Sequence, residues 1–353
     1  MQKRLIITGL IFINLFTFSS VSYANEGNEE SIHIHISIMD SNKDRRASKD
    51  RKASKRAHLR KVFQETQHIA KNNGMGLDKR LTQKMIQKTT AYRTRRNGNL
   101  LALAQKKEIR RPSDRVSKKY LTTYNVVDND SFVVAKQLFS QGLNPLVLNM
   151  ANRFSVGGGV EWGSSAQEET LFRSSNYYLS LYPQGRKRAN NRTYYIYPIS
   201  EFGSYYTPNV QVFRDSTRQY KFIKPFSVAC IAMAGYDLGK PNKLERNLQG
   251  KKGIALLTAF KKYTKIKIEH LLEVAILQGH DSLVLGAISC GAFRLQGDNQ
   301  GMTAQLVAEA FQEVLKSPRY KNRFKNITFA VLASGDIGKI NYNIFRKAFI
   351  NNL

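Results

Sequence analysis

Residues 145–169 read "PLVLNMANRFSVGGGVEWGSSAQEE": an apolar run, a glycine triplet at Gly157, Gly158 and Gly159, then Gln167, Glu168 and Glu169. The apolar run is short and unbroken, as expected of a strand covered on both faces. The glycines end it. The stretch "QEETLFRSSNYYLSLY" that follows opens on two carboxylates, which the dipole favours at the start of a helix. Strand, glycine turn and helix in that order are the parts from which α/β sheets are assembled.

The same grammar recurs downstream. "FSVACIAMA" (226–234), "SLVLGAIS" (282–289) and "ITFAVLA" (327–333) read as strands. "DSFVVAKQLFSQG" (130–142), "GIALLTAFKKYTKIKIEHLLEVAILQG" (253–279) and "MTAQLVAEAFQEVLK" (302–316) read as helices. Short apolar strands alternating with helices predict an α/β fold with a central sheet covered on both faces. Upstream, "LRKVFQETQHIAKNNG" (59–74) has helical spacing and ends at Asn73-Gly74, and "KRLTQKMIQKTTAYR" (79–93) reads as a second, weaker helix. The expected organisation is a leader at 1–24, a basic linker at 25–56, a helical region at 57–118 and an α/β core at 119–353.

In such folds ligands bind at the C-terminal ends of strands, where glycine turns lead into helices. The chain has two such places. One is the loop before Gln167; the other is "GAISCGAFRLQGDNQ" (286–300). Glycine tolerates positive φ and lets backbone N–H groups approach an anion, so Gly157, Gly158, Gly159 and Gly291 are candidates to line a diphosphate. Glu168 and Glu169 are adjacent on a helix and point about 100° apart, so they cannot flank one bond as a separated acid and base. One carboxyl acting on a ribosyl bond while the other holds a sugar hydroxyl suits them better, because a single carboxyl can protonate the leaving oxygen and then activate water.

Composition bounds the rest. The chain has 353 residues, 42% of them apolar, with 56 lysines and arginines against 26 acidic residues and a formal net charge of +30. Such a surplus implies a polyanionic partner or an acidic surface. The segment "SNKDRRASKDRKASKRAHLRK" (41–61) concentrates it, as a solvated linker or the start of a basic helix. The opening "MQKRLIITGLIFINLFTFSSVSYANEG" has the basic start, short apolar run and small-residue end of a secretory signal peptide, with cleavage expected after Ala24 and no stable membrane insertion afterwards. Cys230 and Cys290 sit in apolar runs and read as buried free thiols. No metal set is visible, since His33 and His35 alternate in "IHIHIS" without a third ligand nearby, and no cofactor is called for.

"NMANRFSVGGGVEWGSSAQEETLFRSS" resembles the signature of the poly(ADP-ribose) glycohydrolases, a glycine triplet, six to eight residues, and Gln-Glu-Glu; here the spacer "VEWGSSA" is seven. The stretches "LRKVFQETQHIA", "YYTPNVQVFRD" and "HDSLVLGAISCGAF" are similar to the microbial-type branch. The resemblance implies a macrodomain-like fold, a three-layer α/β/α sandwich with a mixed sheet and an N-terminal helical extension. It also implies hydrolysis of the ribose–ribose O-glycosidic bonds of poly(ADP-ribose). By the same resemblance Glu169 is the general acid/base, Glu168 positions ribose hydroxyls, and Asn152 contacts the distal ribose. Gly157, Gly158 and Gly159 then lie along the diphosphate with Gln167 among the binding residues, and Gly291, Ala292 and Phe293 form the second phosphate loop. Trp162, in the variable spacer, is expected only as a wall of the cleft.

The chain departs from many microbial members in having Ser155-Val156 where Asn-Pro precedes the glycines, and in a longer, more basic continuation, "RLQGDNQ", of the second loop. Poly(ADP-ribose), with a diphosphate per unit, would account for the charge, as would a nucleic-acid-associated substrate such as ADP-ribose attached to DNA bases, and the basic N-terminal region would add polyanion binding. Two other readings fit the same residues. One is a macrodomain that binds or trims ADP-ribose on proteins or nucleic acid; the other is a basic nucleic-acid-binding protein using residues 41–119.

Overall fold

The computed structural model describes residues 41–350, apart from 96, 104–106, 110–119, 182–185, 190–191, 196, 241 and 243. The signal peptide expected at 1–24, the pair His33 and His35, and the first part of the basic linker lie outside the described residues. Among the described residues no helix is long and apolar enough to cross a membrane.

Two units separate at Ala57 and His58. Residues 41–57 belong to the first and are helical, as the start of α1 (Ser41–Lys71), with residues 46–57 all exposed. The basic stretch is therefore helix rather than linker from Ser41 onward. The second unit contains the rest of α1, α2 (Lys79–Lys88) and the strands β1 (Thr90–Thr94), β2 (Leu100–Ala102) and β3 (Lys107–Ile109). These are followed by β4 (Thr123–Val127), α3 (Ser131–Ser140), β5 (Pro145–Ala151), α4 (Gln167–Ser174) and the short α5 (Tyr178–Leu181). A hairpin of β6 (Arg186–Ala189) and β7 (Arg192–Tyr195) stands apart from the main sheet. Then come β8 (Gly203–Asp215), β9 (Lys221–Ala234), α6 (Gly253–Leu277), β10 (Ser282–Leu285), α7 (Met302–Lys316), β11 (Asn326–Ala330) and α8 (Gly335–Ile350).

Nine strands form one mixed sheet in the order β3-β2-β1-β8-β9-β5-β10-β11-β4. From β9 to β4 all neighbours are parallel, whereas β1, β2, β3 and β8 pair antiparallel and β8 joins β9 antiparallel. The region 57–118 is thus not purely helical. "TAYR" (90–93), expected at the end of a second helix, lies in β1, paired with β8. The helix stops at Thr89, whose backbone N–H and hydroxyl both cap back to the Met85 carbonyl, and the β-branched Thr89 and Thr90 favour the extended chain beyond it.

Strand alternation sorts the core into two layers. Leu146 and Leu148, Ile231 and Met233, and Leu283 and Leu285 pack under α6, α7 and α8 against residues such as Phe260, Phe311 and Phe345. Val147, Cys230, Ala232 and Val284 face the other way, against Phe63 of α1, Met85 of α2, Phe132 of α3 and Phe172 of α4. A period of two with both phases apolar is what a sheet buried on both faces demands, and this is the expected three-layer sandwich. Cys230 and Cys290 are both buried and unpaired, one in each layer, and burial raises both thiols above their ordinary value.

α7 begins at Gly301 (φ +83°), where a side chain would collide with Ile340 and Ile344 of α8. Its first turn is capped by Asp298, whose carboxylate accepts from the N–H groups of Gly301 (2.8 Å), Met302 (3.0 Å) and Thr303 (2.7 Å). This cap ends the second glycine loop. Asp298→Ala should lower unfolding free energy by about 1–2 kcal/mol, read from urea denaturation; a change within error of zero would show that the cap does not hold the loop.

Candidate functional site

β9, β5 and β10 are adjacent and parallel, so the segments that follow them leave the sheet at the same edge. β5 feeds the glycine triplet, and β10 feeds the loop around Gly291. Both glycine loops singled out in the sequence therefore meet at the strand ends where ligands bind in open α/β sheets. They are in contact at their bases: a Cβ on Gly286 would lie 2.9 Å from the Met150 methyl group.

α4 opens directly on Gln167, and both glutamates behind it are buried, at 4% exposure for Glu168 and 6% for Glu169. Burying two neighbouring carboxylates is costly unless donors meet them. The glycine triplet provides those donors. Gly157 N–H donates to Glu168 Oε1 at 3.2 Å and Gly159 N–H to Glu169 Oε1 at 2.8 Å. Asn152 N–H donates to Glu168 Oε2 at 2.7 Å, and the buried Asn149 amide lies 3.5 Å from Oε1. The remaining N–H of the triplet, on Gly158, closes a turn to the Ser155 carbonyl. All three triplet N–H groups are thus directed at the protein's own oxygens.

The same contacts explain why the residues are glycine. A Cβ on Gly158, where φ is +57°, would sit 2.5 Å from Glu169 Oε1; one on Gly157 would strike the Phe172 ring at 2.8 Å. The backbone has to pass this close for its N–H groups to reach the carboxylates.

The two carboxylates end in different states. Both oxygens of Glu168 are held by backbone donors. Glu169 Oε2 is buried and has no protein partner. Burial pushes the Glu168 carboxyl up to about 8, and the neighbouring Glu169 charge adds to this, while the Asn152 and Gly157 N–H groups and the Asn149 amide oppose it.

Gln167 is fully employed in anchoring. Its Nε2 donates to the Leu148 carbonyl (2.6 Å) and the Ser131 hydroxyl (3.2 Å), and its Oε1 accepts from Met150 N–H (3.0 Å). The side chain expected to bind substrate instead fastens the start of α4 to β5 and α3. Asn152 uses its Oδ1 to accept from the N–H groups of Phe154 and Ser155, turning the chain toward the triplet.

In the second loop Ser289 holds a left-handed φ of +66°, and Gly291 and Ala292 are exposed while Phe293 is half-buried. The N–H groups of Gly291, Ala292 and Phe293 find no acceptor among the described residues. Leu238 N–H donates to the Phe293 carbonyl, and the Asn341 amide of α8 to the Cys290 carbonyl, which hold the loop from both sides. Tyr177, Tyr178 and His280 are buried.

Arg173 was not foreseen. It is fully buried at the far end of α4, where its Nη2 donates to the Ser164 carbonyl at 2.6 Å and its Nε to the Tyr220 hydroxyl at 3.1 Å. The spacer of the motif is thereby tied to the helix that it leads into. In sequence Arg173 looks like a surface residue of an amphipathic helix, and no pattern marks it. One hollow of about 500 Å³, lined by Gln87, Lys88, Thr90, Tyr206, Pro208, Asn209 and Gln278, contains no carboxylate.

The fold is that of the macrodomain-like α/β/α proteins, and its candidate site is a buried carboxylate pair behind a glycine turn. Residues 57–215, a little under half of the chain, match the family model described as microbial-type PARG, catalytic domain. Among solved structures, the poly(ADP-ribose) glycohydrolase (PARG) of Thermomonospora curvata is similar, with a TM-score of 0.60, 23% identity, and 82% of this chain and 99% of that one covered. The Deinococcus radiodurans enzyme in complex with ADP-ribose gives a TM-score of 0.57 at 23% identity, covering 76% and 97%. Its T267K mutant with ADP-ribose gives 0.54 at 25%, covering 75% and 95%. A comparison with curated protein sequences finds no match.

A test follows from the Glu168 carboxyl. Its folded value lies above that of a free glutamate, so its contribution to stability is full below pH about 4.5 and drains away as pH rises toward about 8. Glu168→Gln removes this titration. Its unfolding free energy relative to the wild type should improve between pH 5 and pH 8 by up to about 1.4 kcal/mol per pH unit. A pH-independent difference between the two proteins would show that Glu168 ionises normally.

Proposed function

We propose that the protein hydrolyses the ribose–ribose O-glycosidic bonds of poly(ADP-ribose) to release ADP-ribose, with Glu169 as its general acid/base. The observation that carries this reading is the asymmetry of the carboxylates: Glu169 Oε1 is fixed by Gly159 N–H, and Oε2 is buried without a partner. A carboxyl with one oxygen clamped and the other unclaimed is oriented to exchange a proton with a reacting atom.

In the acid form, Glu169 gives its proton to the leaving ribosyl oxygen as the C–O bond breaks toward an oxocarbenium-like state. The resulting carboxylate then takes a proton from the attacking water, and the new C–O bond regenerates the acid. Glu168, held by Asn152 and Gly157, keeps lone pairs on both oxygens that can accept from ribose hydroxyls. Ligand phosphate is better served by the second loop than by the triplet, because its N–H groups at 291–293 have no acceptor among the described residues whereas those of Gly157, Gly158 and Gly159 are committed. The match of residues 57–215 to the microbial-type PARG catalytic-domain model supports the reaction class. The Deinococcus radiodurans structures were solved in complex with ADP-ribose, which supports the ligand.

Glu169→Gln keeps an oxygen for Gly159 N–H but cannot cycle a proton. Release of ADP-ribose from poly(ADP-ribose), followed by chromatography, should fall about 10²–10⁴-fold with ADP-ribose binding retained. Equal rates in the two proteins would remove Glu169 from the mechanism. A wild type that binds ADP-ribose and releases none would leave a binding macrodomain.

The charge belongs to the same proposal. In α1 the exposed residues 46–57 include Arg46, Lys49, Arg51, Lys52, Lys55 and Arg56 against Asp50 alone. Side chains of like charge three and four apart weaken a helix in water, so a polyanion that neutralises them favours its formation. Deleting residues 25–56 should weaken poly(ADP-ribose) binding and flatten the dependence of log K on log salt, by roughly one for each phosphate that the segment neutralises. An unchanged slope would place the polyanion contacts elsewhere.

A further inference from the structure

Two aromatic side chains bracket the glycine triplet, Phe154 three residues before Gly157 and Trp162 three residues after Gly159. They are the two most exposed aromatics among the described residues, at 63% and 73%. One exposed apolar side chain is ordinary on a protein surface. That the two most exposed rings stand on the loop that clamps the carboxylates calls for a cause.

Neither ring is exposed for want of order around it. Trp162 closes a single 3₁₀ turn, Val160–Trp162, in which its N–H donates to the Gly159 carbonyl at 3.0 Å, and Gly163 follows in the left-handed region at φ +74°. Val160 of the same turn is buried at 1% exposure, so the turn cannot roll the indole inward without lifting the valine out of the core. Phe154 follows the Asn152 turn, with its N–H on Asn152 Oδ1, and the Arg153 guanidinium lies 5.3 Å from its ring centroid. Arg153 is itself fixed by the Ile199 carbonyl (3.2 Å) and by Glu245 (3.5 Å).

Folding leaves both rings solvated, so their apolar area stays available to a ligand. A flat aromatic face beside a guanidinium suits a purine, through stacking and the cation–π interaction. Accepting the glycohydrolase reading, the substrate supplies such rings beyond the bond being cut: every unit of the polymer carries an adenine. We propose that Phe154 and Trp162 form an aromatic rim that stacks adenines of polymer units outside the cleft, so that the site engages a chain in preference to a single ADP-ribose.

Trp162 is the only tryptophan of the chain, so the protein's tryptophan emission reports on this ring alone. With the full-length Glu169→Gln variant, which leaves the polymer uncleaved, poly(ADP-ribose) should quench that emission, and neither ADP-ribose nor base-free inorganic polyphosphate should match it. Quenching by polyphosphate to the same extent would assign the effect to charge, and quenching by ADP-ribose alone would put the indole inside the cleft; either overturns the proposal, as does polymer without effect.

Kinetics give a second readout. Trp162→Ala should raise KM for poly(ADP-ribose) about five- to a hundredfold, the range expected for the loss of one base stack, and Trp162→Phe should recover most of it. An unchanged KM in Trp162→Ala overturns the rim. Absence of ADP-ribose release by the wild type would instead overturn the glycohydrolase reading, while the emission experiment still decides whether the indole meets bases.

Discussion

Two hydrogen bonds from a glycine backbone, Gly157 to Glu168 and Gly159 to Glu169, let this fold keep adjacent carboxylates almost fully buried. An isolated ionised carboxylate in an apolar interior costs far more than a domain's whole stability margin. Two neighbours repel each other besides. The start of α4 contributes favourable helix-dipole potential, but its cap residue, Ala166, offers no side-chain oxygen, and the loop has to satisfy the acids. That requirement fixes the loop's path, and the path fixes its composition, since a methyl group at Gly158 would meet Glu169.

The surrounding structure keeps the clamp from slipping. Gln167 fastens the first turn of α4 to the end of β5, and Arg173 fastens the last turn to the spacer at Ser164. β5 is an interior strand of the parallel part of the sheet, with β9 and β10 on either side and both faces packed. A carboxyl held in this way loses little entropy when it meets a reacting atom, which is the sense in which a rigid scaffold serves catalysis. Of the four oxygens of the pair, only Glu169 Oε2 is left without a partner in this arrangement.

Much of this was legible in the sequence. The strands β5, β9, β10 and β11 and the helices α3, α6 and α7 announce themselves by apolar runs and helical spacing, because a sheet packed on both faces needs continuous hydrophobicity. The glycine triplet and Gln-Glu-Glu fall where the topology puts a ligand. Less was legible where local propensity and tertiary pairing disagree. β1 continues a helical pattern and becomes a strand through its partner β8, which is distant in sequence. The anchoring uses of Gln167 and Arg173 depend on what lies across the fold from them, and a one-dimensional pattern does not carry that. The glycines were expected against a diphosphate; their N–H groups turn inward because the buried acids need them more.

The central claim is that Glu169 Oε2 is the atom that exchanges a proton with the ribosyl oxygen. A crystal structure of Glu169→Gln holding an uncleaved end of poly(ADP-ribose) tests it most directly. The account predicts the side-chain amide of residue 169 at hydrogen-bond distance, about 3 Å, from the ribose–ribose oxygen, with ribose hydroxyls on Glu168. A glycosidic oxygen lying out of reach of residue 169 and against another titratable group would contradict it.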